Sequence, residues 1–243
     1  MRVDALALRL RPRTAMEAAD LGVCLCQSAA RSVYGCHAIV AVPLLMLAVA
    51  SFEIAHWLPG VVIWCAKPWL DRTILFVLSR AAFGQTTAPA DVWREQRRVW
   101  WEGFLFTWTV RRLSPWRSLT QPVYQLEGHS IRSAGARVRQ IRHRHAGPAT
   151  LVTSAFGLCE LALTLALVSL AFWFAPPGQA PGFVDLFSGA ASWLTLAPPV
   201  AAAIAVLFLE PFYVAAGFAM YLNRRAELEA WDIEQEFRRA FAR

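Results

Sequence analysis

The sequence predicts an all-α membrane protein: a bundle of about four transmembrane helices arranged as two hairpins, with amphipathic helices at the membrane surface. Hydrophobic residues make up 57% of the 243-residue chain and its mean hydropathy is +0.39, whereas soluble domains are about 45–50% apolar. The surplus is concentrated in a few long runs, as it is in chains that cross a bilayer. Basic stretches separate these runs.

The hydropathy pattern divides the chain into five segments. Thr14 and Glu17 are spaced as a capping box, so a helix is predicted from there to about Tyr34, lying on the membrane surface or packed beneath it. In chain order the segments are an N-terminal interfacial helix over residues 1–36, a transmembrane hairpin over 37–83, an interfacial segment over 84–148, a second hairpin over 149–223 and a C-terminal helix over 224–243.

Each hairpin is predicted to contain two membrane-crossing helices. The first combines apolar runs over residues 38–58 and 61–83, with Pro59-Gly60 as the predicted turn between them. The second combines runs over residues 149–175 and 198–222, and each run approaches or exceeds the roughly 20 residues that a bilayer requires. Four spans would leave both ends of the chain on one side of the membrane.

The distribution of basic residues predicts which side that is. Nearly all of the 24 basic residues fall in segments 1–36, 84–148 and 223–243, whereas the predicted outer loops at 59–60 and 176–190 hold none. Cytoplasmic loops of membrane proteins carry the excess of Lys and Arg. Both termini and the middle segment are therefore predicted to lie in the cytosol.

The middle segment is rich in arginine and tryptophan, with eleven arginines between Arg94 and Arg144. Residues 100–110 are apolar but too short to span, so a helix dipping into the interface is predicted, because indoles favour the headgroup level. The sequence leaves open whether they enter the bilayer. Three arginines spaced for one helical face are predicted to contact anionic lipid headgroups: Arg132, Arg139 and Arg142.

A charged residue, a proline and an aromatic residue recur in the second helix of each hairpin, as Lys67-Pro68-Trp69 and Glu210-Pro211-Phe212. Lys67 precedes Arg80, and Glu210 precedes Arg224, by a stretch of helix about 20 Å long. A hydrocarbon core is about 30 Å thick. The two charges are therefore predicted to lie within the bilayer at matching depths, in an approximate parallel repeat.

These residues predict a buried polar cluster. A charge at the bilayer centre costs about 2.5–3.5 kcal/mol on insertion scales, so each charge should face a partner inside the protein. Asp71 competes with Glu210 as the partner of Lys67, and Glu160 either joins the cluster or faces water. The candidate members are Lys67, Asp71, Arg72, Glu160 and Glu210, with helix kinks at Pro68 and Pro211. The cluster would be either a lock on helix packing or a path for a proton or substrate.

Motifs that would indicate catalysis are missing from the sequence. It contains no Walker loop, Gly-x-Ser-x-Gly elbow, His-Glu-x-x-His motif or paired-cysteine zinc pattern. The five cysteines are scattered and do not predict a disulfide framework. We therefore expect no catalytic residues, no metal and no cofactor. Aromatic residues interleaved with arginine beside membrane spans indicate lipid rather than nucleic acid as the partner of the basic segment.

Several motifs resemble those of a known family. They are Arg11-Pro12-Arg13 with Asp20-Leu21-Gly22, Lys67-Pro68 with Asp71-Arg72 and Leu78-Ser79-Arg80, Arg112-Leu113-Ser114-Pro115, and the run from Pro211 to Arg225. Over nearly its whole length the chain is similar to a family of uncharacterised proteobacterial multi-pass inner-membrane proteins. It is distantly similar to the membrane domain of glycerophosphoryl diester phosphodiesterases, whose activity belongs to a separate domain and is not implied here.

The resemblance implies a bacterial inner-membrane location and a gene neighbourhood with a MoxR-type AAA+ ATPase and transglutaminase-like or von Willebrand A-like envelope proteins. The first functional hypothesis is a non-enzymatic scaffold whose cytosolic face docks such partners. The second is a small transporter or lipid-handling protein that uses the polar cluster, with lipids and further copies of the chain as its expected partners. A water-accessible cavity reaching the cluster would favour the second hypothesis.

Overall fold

The computed structural model describes residues 13–102, 114–127, 131–174 and 195–229, and every regular element within these ranges is helical. The helices are α1 (Ala15–Ser28), α2 (Ala30–Ala50), α3 (Leu58–Ala81), α4 (Pro89–Arg94), α5 (Arg117–Leu126), α6 (Ile131–Arg142), α7 (Ala146–Trp173) and α8 (Ala197–Glu229). A 3₁₀ turn follows α2 at Ser51–Glu53, and a π-helical turn follows α4 at Arg97–Trp101. The predicted outer loop at 176–190, most of the predicted interfacial helix at 100–110 and most of the C-terminal helix lie outside the described residues.

Three of the described helices are long and apolar enough to cross a membrane: Ala30–Glu53, Ala146–Leu170 and Ala197–Glu229. They identify the chain as a membrane protein. The helix α3 is not among them, because it carries Lys67, Asp71, Arg72 and Arg80. Its 24 residues nevertheless extend over about 36 Å, and all ten residues from 70 to 79 are buried.

The long helix α8 is the centre of the bundle. It packs against α1, α2, α3, α5 and α7, and its residues 213–223 are all buried. At about 50 Å it is longer than a hydrocarbon core is thick. One part of α8 therefore contacts the apolar helices, while its C-terminal part extends into the layer formed by α1, α5 and α6.

The helix α7 exposes apolar side chains around most of its surface. Leu158 is 67% exposed and Leu165 is 59% exposed, and only a narrow strip that includes Ala149 and Val152 is buried. Such an extended apolar surface is unfavourable in contact with water and favourable in contact with lipid. This pattern is that of a helix with lipid on most sides and α8 on one.

The helix α1 packs closely against α8. The predicted capping box is present, with Thr14 Oγ1 accepting from the Glu17 N–H and Glu17 Oε2 accepting from the Thr14 N–H. Gly22 lies so close to α8 that a β-carbon built there would be 2.2 Å from the carbonyl oxygen of Ala215. The structure packs α1 on α8, and its position relative to the membrane surface stays a prediction. The helix ends at Ser28, earlier than the predicted Tyr34.

An asparagine fixes the start of the described chain. The side-chain amide of Asn223 accepts a hydrogen bond from the Arg13 N–H at 3.1 Å and donates one to the Arg13 carbonyl at 2.9 Å. A single side chain thereby satisfies both backbone groups of Arg13, as a neighbouring strand would. The peptide segment that enters α1 is thus tied to the C-terminal part of α8.

The connection inside the first hairpin differs from the predicted one. The helix α2 begins at Ala30 and ends at Ala50, and the chain reverses over residues 51–57. Pro59 and Gly60 lie in the first turn of α3 and do not form the predicted turn. Proline is favourable at the start of a helix, because the first N–H groups have no acceptor within the helix. The Pro-Gly pair was therefore a helix start and not a loop.

Two side chains of α3 hold the π-helical turn against the bundle. Arg72 donates hydrogen bonds to the carbonyls of Val99 and Arg98, and Thr73 accepts one from the indole N–H of Trp100 at 2.9 Å. Trp100 is only 6% exposed, whereas Trp101 is 63% exposed. The first two residues of the predicted interfacial helix, Trp100 and Trp101, thus differ in role: the first packs in the protein, and the second remains on the surface.

Cys24 and Cys26 provide a test of how α1 packs. Cys26 is fully buried, and burial raises the pKa of its thiol to about 12, whereas Cys24 is exposed. Because the thiolate is the reactive species, only about one Cys26 thiol in 10⁴ is ionised at pH 8. In single-cysteine variants we expect a maleimide at pH 8 to label Cys24 at least roughly a hundredfold faster than Cys26. Similar labelling rates would contradict the packing of α1 on α8.

Candidate functional site

Five charged residues from four helices meet beside Pro211 of α8. Lys67 and Asp71 lie four residues apart on α3 and so share one face of that helix, while Glu160 comes from α7, Glu210 from α8 and Arg117 from the start of α5. We refer to these five residues as the charge cluster. Four of them are among the residues predicted from the sequence, and Arg117 is the addition.

Lys67 binds two carboxylates. Its Nζ lies 3.1 Å from Oε2 of Glu210 and also pairs with Oε2 of Glu160. The side chain of Glu210 is only 3% exposed and that of Glu160 is 26% exposed. Lys67 therefore connects the two hairpins, since it joins α3 to both helices of the second hairpin.

Arg117 also binds two carboxylates. Its Nε lies 2.8 Å from Oδ2 of Asp71, and its Nη2 donates to Oε1 of Glu210 at 2.8 Å. Asp71 is 1% exposed, so its charge has no access to water that would compensate for the loss of Arg117. Glu210 thus receives one cation from each side, Lys67 from α3 and Arg117 from α5.

Aromatic and hydroxyl groups complete the surroundings of Arg117. Its guanidinium carbon lies 5.3 Å from the ring centre of Tyr213, within the range of a cation–π interaction. The hydroxyl of Tyr213 lies 3.3 Å from that of Thr153, which donates to the carbonyl of Pro115 at 2.7 Å. These contacts fix the chain just before α5 to both α7 and α8, which positions Arg117.

Pro211 lies within α8, where its missing N–H leaves the carbonyl of Leu207 without its helical donor. The hydroxyl of Tyr34 on α2 donates to the carbonyl of Phe208, one residue further on, at 2.7 Å. Tyr34 also packs against the rings of Phe208 and Phe212, so α2 supports this part of α8 with one hydrogen bond and two aromatic contacts.

Arg72 was predicted to be a member of the cluster, but it extends to the π-helical turn described above. Helix geometry explains the difference, because residues five apart are separated by about 140° around the axis. Lys67 and Asp71 therefore lie on one face of α3, and Arg72 lies on another.

The number of charges in the predicted cluster already indicated that a cation was missing. Three acidic residues buried with Lys67 require a second cation, and Arg72 cannot share the face of Lys67. The sequence does not say which of the eleven arginines in the middle segment supplies it. Arg117 lies 36 residues beyond the end of α3, in the middle of a stretch predicted to be interfacial, so no local pattern distinguishes it from its neighbours.

A second ionic network lies at the C-terminal part of α8. Arg137 of α6 donates to Glu127 at 3.1 Å and to Glu229, and Tyr221 donates to Glu127 at 2.6 Å. Arg225 pairs with Glu229 along α8 at 3.0 Å. Burial alone would lower the pKa of Arg137, but its hydrogen bonds to the two carboxylates raise it. We call these five residues the C-terminal network, and the sequence analysis did not anticipate it.

The three arginines predicted to contact lipid headgroups have different surroundings. Arg139 is exposed, whereas Arg142 is half-buried and its guanidinium carbon lies over the ring of Trp116, 3.6 Å from the ring centre. Arg132 lies on α6, but its side chain is outside the described residues. Lipid contact by these residues remains a prediction.

No protein-family model, curated protein or solved structure matches this chain. What the site can do chemically is therefore inferred from the charged side chains of the cluster. Within the described residues, no group of three or more His, Cys, Asp or Glu side chains is placed to hold a metal ion. The charge cluster instead uses its acidic side chains in ion pairs that join four helices.

Substitution of Lys67 is expected to destabilise the bundle through Glu160. In the Lys67→Met variant Glu210 retains Arg117, but Glu160 loses the one cation that pairs with it among the described residues. We expect a lower Tm in detergent, and partial recovery in the Lys67→Met/Glu160→Gln double variant, because removing both charges costs less than leaving one unpaired. Arg94→Met, which removes an exposed cation, is the control. A double variant less stable than Lys67→Met would contradict the pairing.

Proposed function

We propose that this chain is a non-enzymatic scaffold of the bacterial inner membrane, with four spans, both termini in the cytosol and a cytosolic layer that docks partner proteins. In this proposal α3 is the fourth span, and its charges are compatible with the bilayer because Lys67 and Asp71 face partners in the bundle. The ion pairs serve to hold the cytosolic layer on the membrane helices.

The observation that carries the proposal is that α5 is held at both ends. Arg117 at its start is paired with Asp71 and Glu210, and Glu127, directly after its end, accepts from Arg137 and Tyr221. Between these ends, Gln125 donates to the carbonyl of Arg72 at 2.8 Å. Moving α5 away would leave buried carboxylates without partners, which costs several kcal/mol. The cytosolic layer is therefore a rigid platform.

The surface of this platform is basic. It exposes tryptophan as well as arginine, a combination that is enriched at protein interfaces. The exposed residues are Trp93, Arg94, Arg97, Arg98, Trp101, Arg139 and Arg144. A partner with an acidic surface would complement it, and the family resemblance makes an AAA+ ATPase the first partner to test.

Affinity purification from native membranes tests the docking role. The tagged chain would be extracted in mild detergent, and its partners identified by mass spectrometry. We expect an AAA+ ATPase to co-purify, and to be lost from the triple variant Arg94→Gln, Arg97→Gln, Arg98→Gln but not from the control Arg31→Gln, which changes an exposed arginine of α2. Recovery of the chain alone would contradict the proposal.

Reporter fusions test the proposed topology. A reporter inserted within residues 84–148 should be active in the cytosol, and one inserted within 176–190 should be active in the periplasm. Only α7 separates these two segments, so this pair of fusions tests whether α7 crosses. A reporter at the N-terminus tests α3, because with α2 crossing it lies on the same side as residues 84–148 only if α3 crosses as well. Activity of both fusions in the same compartment would contradict four spans.

A proton-conducting role is the second candidate, and two observations favour it. The charge cluster holds three carboxylates and two cations. Nearby on α2, His37 is fully buried, and neither of its ring nitrogens has a hydrogen-bond partner in the described part of the chain. The scaffold proposal predicts no proton flux above that of empty liposomes when the protein is reconstituted. A flux that Glu210→Gln abolishes would support conduction instead.

A further inference from the structure

A pocket of about 300 Å³ lies at the C-terminal end of α3, enclosed by α3, the π-helical turn and the end of α5. In the topology proposed above, this end of α3 is at the cytosolic membrane surface. One part of the pocket is apolar, formed by Phe76, Val99 and Leu126, and the rest is polar. None of these polar side chains belongs to the charge cluster or the C-terminal network.

Arg80 brings an uncompensated positive charge to this pocket. Its guanidinium carbon lies 5.7 Å from the ring centre of Phe76, and no carboxylate of the described residues pairs with it. Its Nε is shut off from solvent and has no hydrogen-bond acceptor there. A buried donor without an acceptor is costly, and an anion in the pocket would provide one.

The other charges of the pocket compensate each other. Glu95 and Arg98 form an ion pair at 3.8 Å, so Arg80 leaves the pocket with a net charge of +1. The pocket therefore favours a singly charged anion, and its carboxylate does not block that anion, because Glu95 already has a cation beside it.

Gln125 adds a second requirement. Its side-chain nitrogen donates to the carbonyl of Arg72, while its Oε1 is buried and accepts no hydrogen bond in the described part of the chain. The pocket thus presents an unmatched donor on Arg80 and an unmatched acceptor on Gln125. A ligand that satisfies both carries an anionic oxygen and a hydroxyl donor.

We propose that this pocket binds an anionic phosphate group that carries or adjoins a hydroxyl. Arginine suits phosphate, because its planar fork of N–H groups can bind two oxygens at once. Such a group can come from a lipid headgroup, with the apolar side of the pocket against the lipid carbons, or from phosphate free in the cytosol. The two sources share the same contacts with Arg80 and Gln125.

Lipid and phosphate binding to the full chain in detergent distinguishes these sources. Native mass spectrometry and Tm would be measured with phosphatidylglycerol, with phosphatidylcholine, which has no headgroup hydroxyl and no net charge, and with inorganic phosphate against chloride at equal ionic strength. We expect phosphatidylglycerol to bind at least about tenfold more weakly to Arg80→Gln than to the unaltered chain, and equally well to the control Arg31→Gln. The same dependence on Arg80 for inorganic phosphate alone would identify a soluble ligand.

Binding that does not depend on Arg80, or no preference for either anion over its control, would overturn the proposal. Should Arg80→Gln fail to fold, Arg80→Lys takes its place, because it keeps the charge but loses the planar fork and the Nε donor. Binding several-fold weaker than that of the unaltered chain is then expected, and equal binding would overturn the proposal.

Discussion

Replacing Arg117 with methionine is expected to lower the Tm of the protein in detergent by roughly 6–20 °C. The substitution leaves Asp71 without its cation and Glu210 with Lys67 alone. Removing one partner of a buried ion pair costs about 3–5 kcal/mol, and each kcal/mol lowers the Tm of a chain of this size by roughly 2–4 °C. The change also frees the start of α5 from its ion pairs. The chain from residue 114 to the start of α5 should therefore be cleaved faster in limited proteolysis.

Two further variants separate the ion pairs from a general effect of losing an arginine. Arg139→Met removes an exposed arginine of α6 and should leave the Tm within about 2 °C of its original value. Adding Asp71→Asn to Arg117→Met should recover part of the loss, because the amide needs no counterion. If Arg117→Met and Arg139→Met had equal Tm values, Arg117 would not hold α5 in place.

A methyl group at Gly22 or at Gly217 is expected to force α8 away from a neighbour. A β-carbon at Gly22 would lie 2.2 Å from the carbonyl oxygen of Ala215, and one at Gly217 would lie 2.2 Å from the β-carbon of Ser118. The first contact is with backbone, which cannot rotate away, so α1 itself must shift. We expect each Gly→Ala variant to lose about 1–3 kcal/mol. In Gly22→Ala, Cys26 should become at least tenfold more reactive with maleimide.

Gly35 provides the matched control. A β-carbon at this exposed position of α2 would meet nothing within 4 Å, and alanine is favoured over glycine within a helix by about 1 kcal/mol. Gly35→Ala should therefore keep or raise the Tm and leave Cys26 unreactive. If Gly22→Ala were as stable as Gly35→Ala and kept Cys26 unreactive, the close approach of α1 to α8 would be wrong.

Several features of the site follow from local sequence patterns. The motifs Lys67-Pro68 and Glu210-Pro211 predicted two charges at matching depths, each of which needs a partner inside the protein; in the structure Nζ of Lys67 lies 3.1 Å from Oε2 of Glu210. The interval of four residues between Lys67 and Asp71 puts both on one face of α3. The sequence left two places open for Glu160, and the ion pair with Lys67 places it in the cluster.

Other features depend on contacts between distant segments. The cation that faces Asp71 comes from residue 117, and the carboxylate that ends α5 is joined to α8 by Tyr221 and Arg137. Arginines of the middle segment are alike in the sequence, and only their positions in space distinguish Arg117, which is paired, from Arg139, which is exposed. The Pro59-Gly60 pair shows the same limit, since its local signal fits both a turn and the start of a helix.

The sequence by itself determined that this chain is helical, that it contains long apolar helices, and that Lys67 and Glu210 need partners inside the protein, because hydropathy and the cost of a charge in lipid are properties of short stretches of chain. The tertiary structure alone decided which partners they have. Packing of α1, α3 and α5 around α8 sets the distances between side chains that are far apart in the sequence, and an ion pair forms only where those distances are about 3–4 Å.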